Sequence, residues 1–310
     1  MSKLTVGPVL FHWAPEAWRD FYFRMADESA VDTVYVGEVV CAKRAVLFEP
    51  HMDAVLERLT AAGKNVVRST MALVMDKNDM DLVSAIAEGP WTVEANDISC
   101  VGLLHRRDHI IGPFINVYNE DTLRYLAEAG ASRVCLPSEL PAASLATLAG
   151  IGASDIEVQV FGRLPLAISA RCYHARSRDV SRDGCRFVCG EDPDGMMVDS
   201  LDDEPMFAVN GPQTLSATYA NLLGDLGEMK DMGIKAYRLW PQDCDMVAVA
   251  GIFRDVLDGR MASDEGDAQL ATICCDVEFS NGFYHGAEGA NLIAPTAARP
   301  KESSVATPQR

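Results

Sequence analysis

His51-Met52-Asp53-Ala54-Val55-Leu56-Glu57-Arg58-Leu59-Thr60-Ala61-Ala62-Gly63-Lys64-Asn65-Val66-Val67 contains one complete step from helix to strand. Met52, Val55, Leu56 and Leu59 recur at helical spacing and form one apolar face. Gly63 stands where a left-handed residue closes a helix. Val66-Val67 then opens an apolar run within three residues. Helix, glycine, short step and apolar strand together make the αβ junction of a parallel sheet.

The step recurs along the chain. Before it, Leu4 to Phe11 reads as a strand and Pro15 suits a first helical turn, followed by Trp18, Phe21, Tyr22 and Met25 on one helix face. After it, Leu123, Leu126 and Ala127 lead through Gly130 into Ser132-Arg133-Val134-Cys135-Leu136, and Met232-Gly233 leads into Ile234 to Leu239. Strands are expected at 4–10, 32–36, 65–71, 91–95, 110–116, 132–136, 155–161 and 234–239. Eight β/α units favour a closed (β/α)8 TIM-barrel-like fold. The alternative is an open doubly wound sheet, but no GxGxxG follows the first strand to support dinucleotide binding.

One connection breaks the rhythm. Between the seventh and eighth strands lies a long insertion, placed at 163–212, in which Met196-Met197-Val198 and Met206 to Val209 suggest a small hairpin. Residues 1–286 are expected to form a single barrel domain carrying that insertion. Residues 287–310, rich in Ala, Pro, Ser and Thr, are expected to be a disordered tail.

The insertion also carries the chemistry. Cys172, Cys185 and Cys189 have the spacing Cys-x12-Cys-x3-Cys, and Cys41 follows the second strand. In a parallel barrel the loops after the strands share one face, so all four thiols can meet there. Four thiolates suit a [4Fe–4S] cluster or Zn2+, and the spacing alone also leaves unliganded thiols open. The chain carries a net charge of −18, yet residues 163–189 hold six Arg (163, 171, 176, 178, 182, 186) against Asp179 and Asp183. Positive charge beside the thiols would offset thiolate charge; the plain alternative is a solvated loop. Cys100 and Cys135 read as small buried hydrophobes, Cys274 and Cys275 point apart in an extended chain, and Cys244 has no assignment. His12, Glu38 and Asn116 fall at expected strand ends, where they could bind substrate or simply brace loops.

Several functions fit poorly. A −18 surface repels nucleic-acid backbones and anionic membranes. No run of about 18 apolar residues is long enough for a membrane span. The start of the chain lacks the pattern of a signal peptide, so a reducing cytoplasm is expected. Neither HExxH nor GxSxG occurs, and His174 beside Cys172 is too close in sequence for the usual Cys–His pair.

Gly7-Pro8-Val9-Leu10-Phe11-His12-Trp13, Tyr35 to Arg44, Val93-Glu94-Ala95-Asn96-Asp97, Gly112 to Asn119, the cysteine loop and Asn281 to Gly286 resemble the U32 peptidase-like family, in particular its ubiquinone-biosynthesis branch. The likeness covers roughly residues 3–286 but not the tail. It implies a [4Fe–4S] cluster held by Cys41, Cys172, Cys185 and Cys189. It also implies oxygen-independent hydroxylation of the ubiquinone ring, as a heterodimer with a UbiU-like paralogue and together with a UbiT-like lipid-binding protein. The substrate would be a quinone precursor. Relatives that hydroxylate RNA bases use prephenate as oxygen source, which makes prephenate an expectation here as well. The other functions in view are a U32-type peptidase, an RNA-hydroxylating enzyme and a zinc-stabilised scaffold.

Overall fold

A computed structural model describes residues 2–293. Seven strands alternate with helices from the start of the chain: β1 (Lys3–Val6), β2 (Thr33–Val36), β3 (Asn65–Ser69), β4 (Thr92–Ala95), β5 (His109–Ile111), β6 (Ala131–Cys135) and β7 (Asp155–Ile168). The helices between them are α1 (Pro15–Asp27), α2 (Ala42–Ala61), α3 (Lys77–Glu88), α4 (Ile98–Leu103), α5 (Glu120–Glu128) and α6 (Ala142–Ile151). The insertion follows with α7 (Tyr173–Ser177), β8 (Met196–Asp199), β9 (Pro205–Asn210) and β10 (Gln213–Asn221). After α8 (Leu226–Asp231) come β11 (Ala236–Leu239), α9 (Met246–Leu257), α10 (Ser263–Ile273) and β12 (Phe279–Ser280).

The eight expected strands are present and the sheet closes. β1 to β7 pair in sequence order, all parallel, and β11 pairs in parallel with both β7 and β1. Closure removes both sheet edges, so the open-sheet alternative is excluded. The helix faces read from spacing lie inward. Trp18, Tyr22 and Met25 are buried on α1, and Val55, Leu56 and Leu59 on α2. Burying each such side chain contributes about 1.5–3 kcal/mol. Trp18 stacks on Phe48 at 5.0 Å, which locks α1 to α2. The Tyr22 hydroxyl meets its polar needs there by accepting from Val9 N and donating to Tyr35 O, both at 3.2 Å.

The inside of the barrel carries charge. Outward positions along each strand pack under the helices, whereas Thr5, Tyr35, Ser69, Glu94, Glu157 and Arg238 turn inward and are fully buried. Arg238 bonds Glu94 Oε1 at 2.6 Å and spans both oxygens of Glu157 at 3.0 and 3.1 Å. Tyr35 and Thr5 donate to Glu157 at 2.6 and 2.5 Å, and Ser69 donates to Glu94 at 2.6 Å. Barrels of this class usually fill this space with branched apolar side chains. Here an ionic network centred on Arg238 does so instead.

β7 runs well past its expected end. Its first half forms barrel wall, and from Phe161 onward it pairs antiparallel with β10. Gly162 takes φ +99, where the chain passes close to Trp240 and Gln242. The expected hairpin is present as β8 against β9. The insertion's sheet nevertheless extends past residue 212, because β10 pairs β9 as well as β7. Of the tail expected from residue 287, residues up to 293 are bound back: Asn281 donates to Ile293 O at 2.9 Å and accepts from Ile293 N at 2.6 Å. The remainder of the expected tail lies outside the described residues.

Gly37, directly after β2, sets the path towards Cys41. A Cβ there would sit 2.2 Å from the Ser69 carbonyl oxygen, which is backbone and cannot swing aside. Gly37→Ala is expected to destabilise the fold by about 1–3 kcal/mol, measured by urea unfolding. Wild-type stability in that variant would mean that β2 and β3 are free to separate at this point.

Candidate metal centre

Cys41, Cys172, Cys185 and Cys189 line one small, largely enclosed cavity, with Lys43, Arg44, Arg182 and Phe187 in its wall. The cavity lies beyond the carboxyl end of β2, on the face that the barrel topology offers to functional loops. Among the described residues no three His, Cys, Asp or Glu side chains form a group suited to a single metal ion. The four thiols thus share a cavity without being drawn in to one point.

Each thiol has its own support. Cys41 is the N-cap of α2, and the backbone N–H groups of Val40 and Cys41 both donate to Glu38 Oε1 at 2.8 Å. Cys172 is the N-cap of α7, where its sulfur accepts from Ala175 N at 3.4 Å. Cys189 lies in a 3-10 turn at Val188–Glu191 and is buried. Between Cys185 and Cys189, Arg186 (φ 49) and Phe187 (φ 56) are successive left-handed residues without being glycines. Each such conformation costs roughly 1–2 kcal/mol, so contacts must hold this loop in place. The Phe187 ring packs on His12 at 5.4 Å. Lys43, two residues after Cys41, grips the loop through Arg182 O at 2.9 Å and Asp183 Oδ1 at 2.8 Å.

Arg44 supplies the buried charge. It is 1% exposed, donates to Leu10 O and Asn210 Oδ1 at 2.9 Å each, and its charge acts on both Cys189 and Cys41. Burial nevertheless pushes both of these thiols up, and a metal held here would have to displace their protons. Arg44 was not singled out from sequence, although it falls three residues after Cys41 on the same helical turn. The Arg-rich loop divides. Arg182 lines the cavity, whereas Arg163 pairs with Asp194 at 2.5 Å and Arg178 with Glu191 at 3.0 Å.

His174 is a brace. Its Nδ1 accepts from Gly211 N at 2.8 Å, which leaves the proton on Nε2, facing Asp192 Oδ2 at 3.0 Å. Both ring nitrogens are occupied, and neither serves Cys172 as a base. The ring ties the Cys172 helix to the turn after β9 and to the residue that follows the Cys189 turn. His12 sits against Phe187, Phe48 and the backbone at Gly190, and burial, then Arg44, lowers its pKa to about 4. Glu38 also adjoins the thiols, while Asn116 is exposed and absent from the cavity wall. Cys100 and Cys135 are fully buried among strands and helices, and burial raises the Cys100 thiol to about 11.

The donor set fits an iron–sulfur cluster: four soft thiol sulfurs line one cavity, a buried guanidinium stands beside two of them, and Arg182 closes the wall. Fold and site together define a (β/α)8-barrel protein with a cysteine-lined site at the carboxyl ends of its strands. The chain belongs to peptidase family U32, whose family model matches residues 21–294. Similar solved structures include a U32 peptidase with 11% identity and a TM-score of 0.45, covering 78% of this chain and 93% of that one. Another is N-acetylneuraminate lyase from Fusobacterium nucleatum complexed with pyruvate, with 10% identity and a TM-score of 0.46, covering 88% and 79%. A third is the DAHP synthase of Thermotoga maritima, with 11% identity and a TM-score of 0.43, covering 90% and 71%. Among the described residues no helix is long and apolar enough to cross a membrane.

Proposed function

We propose that this chain is a UbiV-type protein: the iron–sulfur subunit of an oxygen-independent hydroxylase of ubiquinone biosynthesis, working with a UbiU-like partner. The observation that carries this is the meeting of Cys41 with Cys172, Cys185 and Cys189 in one cavity, although the barrel separates them in sequence. Those four residues would hold a [4Fe–4S] cluster, which when bound supplies one-electron chemistry. The chain's own residues prepare the site. Arg44 offsets the charge left when the thiols lose their protons, Glu38 fixes the turn at Cys41, and His174 aligns α7 with the Cys189 turn. Phe187 lines one side of the cavity and is backed by His12. A heterodimeric partner covering the cavity face would shield the sulfurs from oxygen. The quinone precursor, prephenate as oxygen donor and a UbiT-like lipid carrier complete the proposal.

The test is co-production with a UbiU-like partner and anaerobic purification. The expected product is a brown heterodimer with four irons and four sulfides per cluster, which hydroxylates a quinone precursor without O2. A colourless, zinc-containing protein that supports no ring hydroxylation would point to a structural zinc site instead.

A further inference from the structure

Helix α2 packs on α1 and α3 packs on α4, and between α2 and α3 the outer helical layer parts into a cleft of about 640 Å3. That size lies within the range of small-molecule pockets, about 300–1,000 Å3. Met52 lines it from α2, Leu82 and Ile86 line it from α3, and Trp91 lies at one end. Arg68 of β3 also lines it. Its neighbours Val67 and Ser69 turn into the barrel, so Arg68 points out into the helix layer, where a strand normally shows an apolar side chain.

Arg68 is half-buried, and it differs from the three fully buried guanidiniums. Arg44, Arg163 and Arg238 all have acceptors or carboxylates in place. Among the described residues the Arg68 guanidinium makes no side-chain hydrogen bond and no ion pair within 4.0 Å, and its Nε is buried without a partner. A half-buried planar cation beside apolar walls can take a forked anionic acceptor. The acids of the cleft do not supply one. Glu38 Oε1 already receives two backbone donors, Glu49 is exposed, and Asp53, whose charge reaches Arg68, is exposed and makes no ion pair with it within 4.0 Å.

We propose that the α2/α3 cleft is a binding site for a carboxylate on an apolar body, with Arg68 taking the carboxylate and Met52, Leu82, Ile86 and Trp91 taking the body. The inference goes beyond the cluster function and stands without it.

The probe is dodecanoate, titrated into the full chain by calorimetry, with 1-dodecanol as the matched uncharged arm. Dodecanoate is expected to bind one molecule per chain. Dodecanol is expected to bind on the order of tenfold to a hundredfold more weakly, because a charge-assisted pair is lost. R68M keeps the unbranched stem of the side chain, removes its charge, and should reduce dodecanoate to the affinity of dodecanol. A85W, at an exposed position on the cleft wall, should block both probes while leaving the fold intact by thermal melting. C41A should bind dodecanoate normally, which separates this site from the thiol cavity. Absence of dodecanoate binding, equal affinity for the two probes, or unchanged binding to A85W overturns the proposal.

Discussion

Any one of Cys41→Ala, Cys172→Ala, Cys185→Ala and Cys189→Ala is expected to leave the anaerobically purified protein without its iron, whereas Cys100→Ala and Cys135→Ala keep it. The contrast follows from position. The first four thiols line one cavity, and the other two lie buried in the body of the barrel. Removing one of the four would leave the proposed cluster with only three thiolates to hold it. Near-complete loss is therefore expected, measured as iron and acid-labile sulfide per chain together with visible absorption. The control substitutions remove a sulfur of the same chemistry, so stability effects of thiol loss are separated from ligand loss. Burial raises the Cys135 thiol, which means that this sulfur stays protonated and is a poor metal ligand. Iron loss in Cys135→Ala equal to that in Cys185→Ala would move the site away from the thiol cavity.

Much of the barrel was legible because its units repeat a simple physical pattern. Met52, Val55, Leu56 and Leu59 form a face, Gly63 ends the helix, and Val66-Val67 must then pair. The long second half of β7 was not legible. Leu164-Pro165-Leu166 is interrupted by a proline, and the strand's partner β10 is rich in Thr, Ser and Asn. A faint signal was present in the alternation of Leu215, Ala217 and Tyr219. Cys41 could be placed with the insertion's thiols from topology alone, because loops after parallel strands share a face. Arg44 could not, since nothing in a helical turn of mixed charge marks one cation as the buried one. The barrel's ionic centre was missed for a different reason. In Val93-Glu94-Ala95, Ile156-Glu157-Val158 and Tyr237-Arg238-Leu239 a lone charge is flanked on both sides by apolar residues. In a closed barrel the flanking residues pack under helices, which turns the lone charge inward.

Arg238→Met is expected to be the most damaging single change to stability, costing about 3–5 kcal/mol by urea or thermal unfolding. Arg238, Glu94 and Glu157 are each fully buried, and the guanidinium lies 4.0 Å from the Tyr35 ring centre. Methionine restores much of the volume and none of the charge, leaving two carboxylates in the barrel without their counter-ion. The pH dependence distinguishes this from loss of packing. In the native protein burial pushes Glu157 up, but Arg238 and Arg133 outweigh it and hold the carboxyl below its ordinary value. A depressed carboxyl contributes stability that is fully present above its unfolded pKa and is lost as the pH falls through the folded one. With Arg238 gone, burial is less opposed, the folded pKa rises, and protonation favours the folded variant as the pH falls. The stability gap between wild type and R238M should therefore narrow from pH 8 towards pH 5. The triple variant E94Q/E157Q/R238M leaves Arg133, which faces Glu157 in the native protein, as the one charge of the cluster, and should regain part of the loss at pH 8, since the Tyr35, Thr5 and Ser69 hydroxyls still find amide acceptors. A gap that stays constant across this pH range, with no recovery in the triple variant, would show that Arg238 acts through its bulk and its ring contacts and not through the two carboxylates.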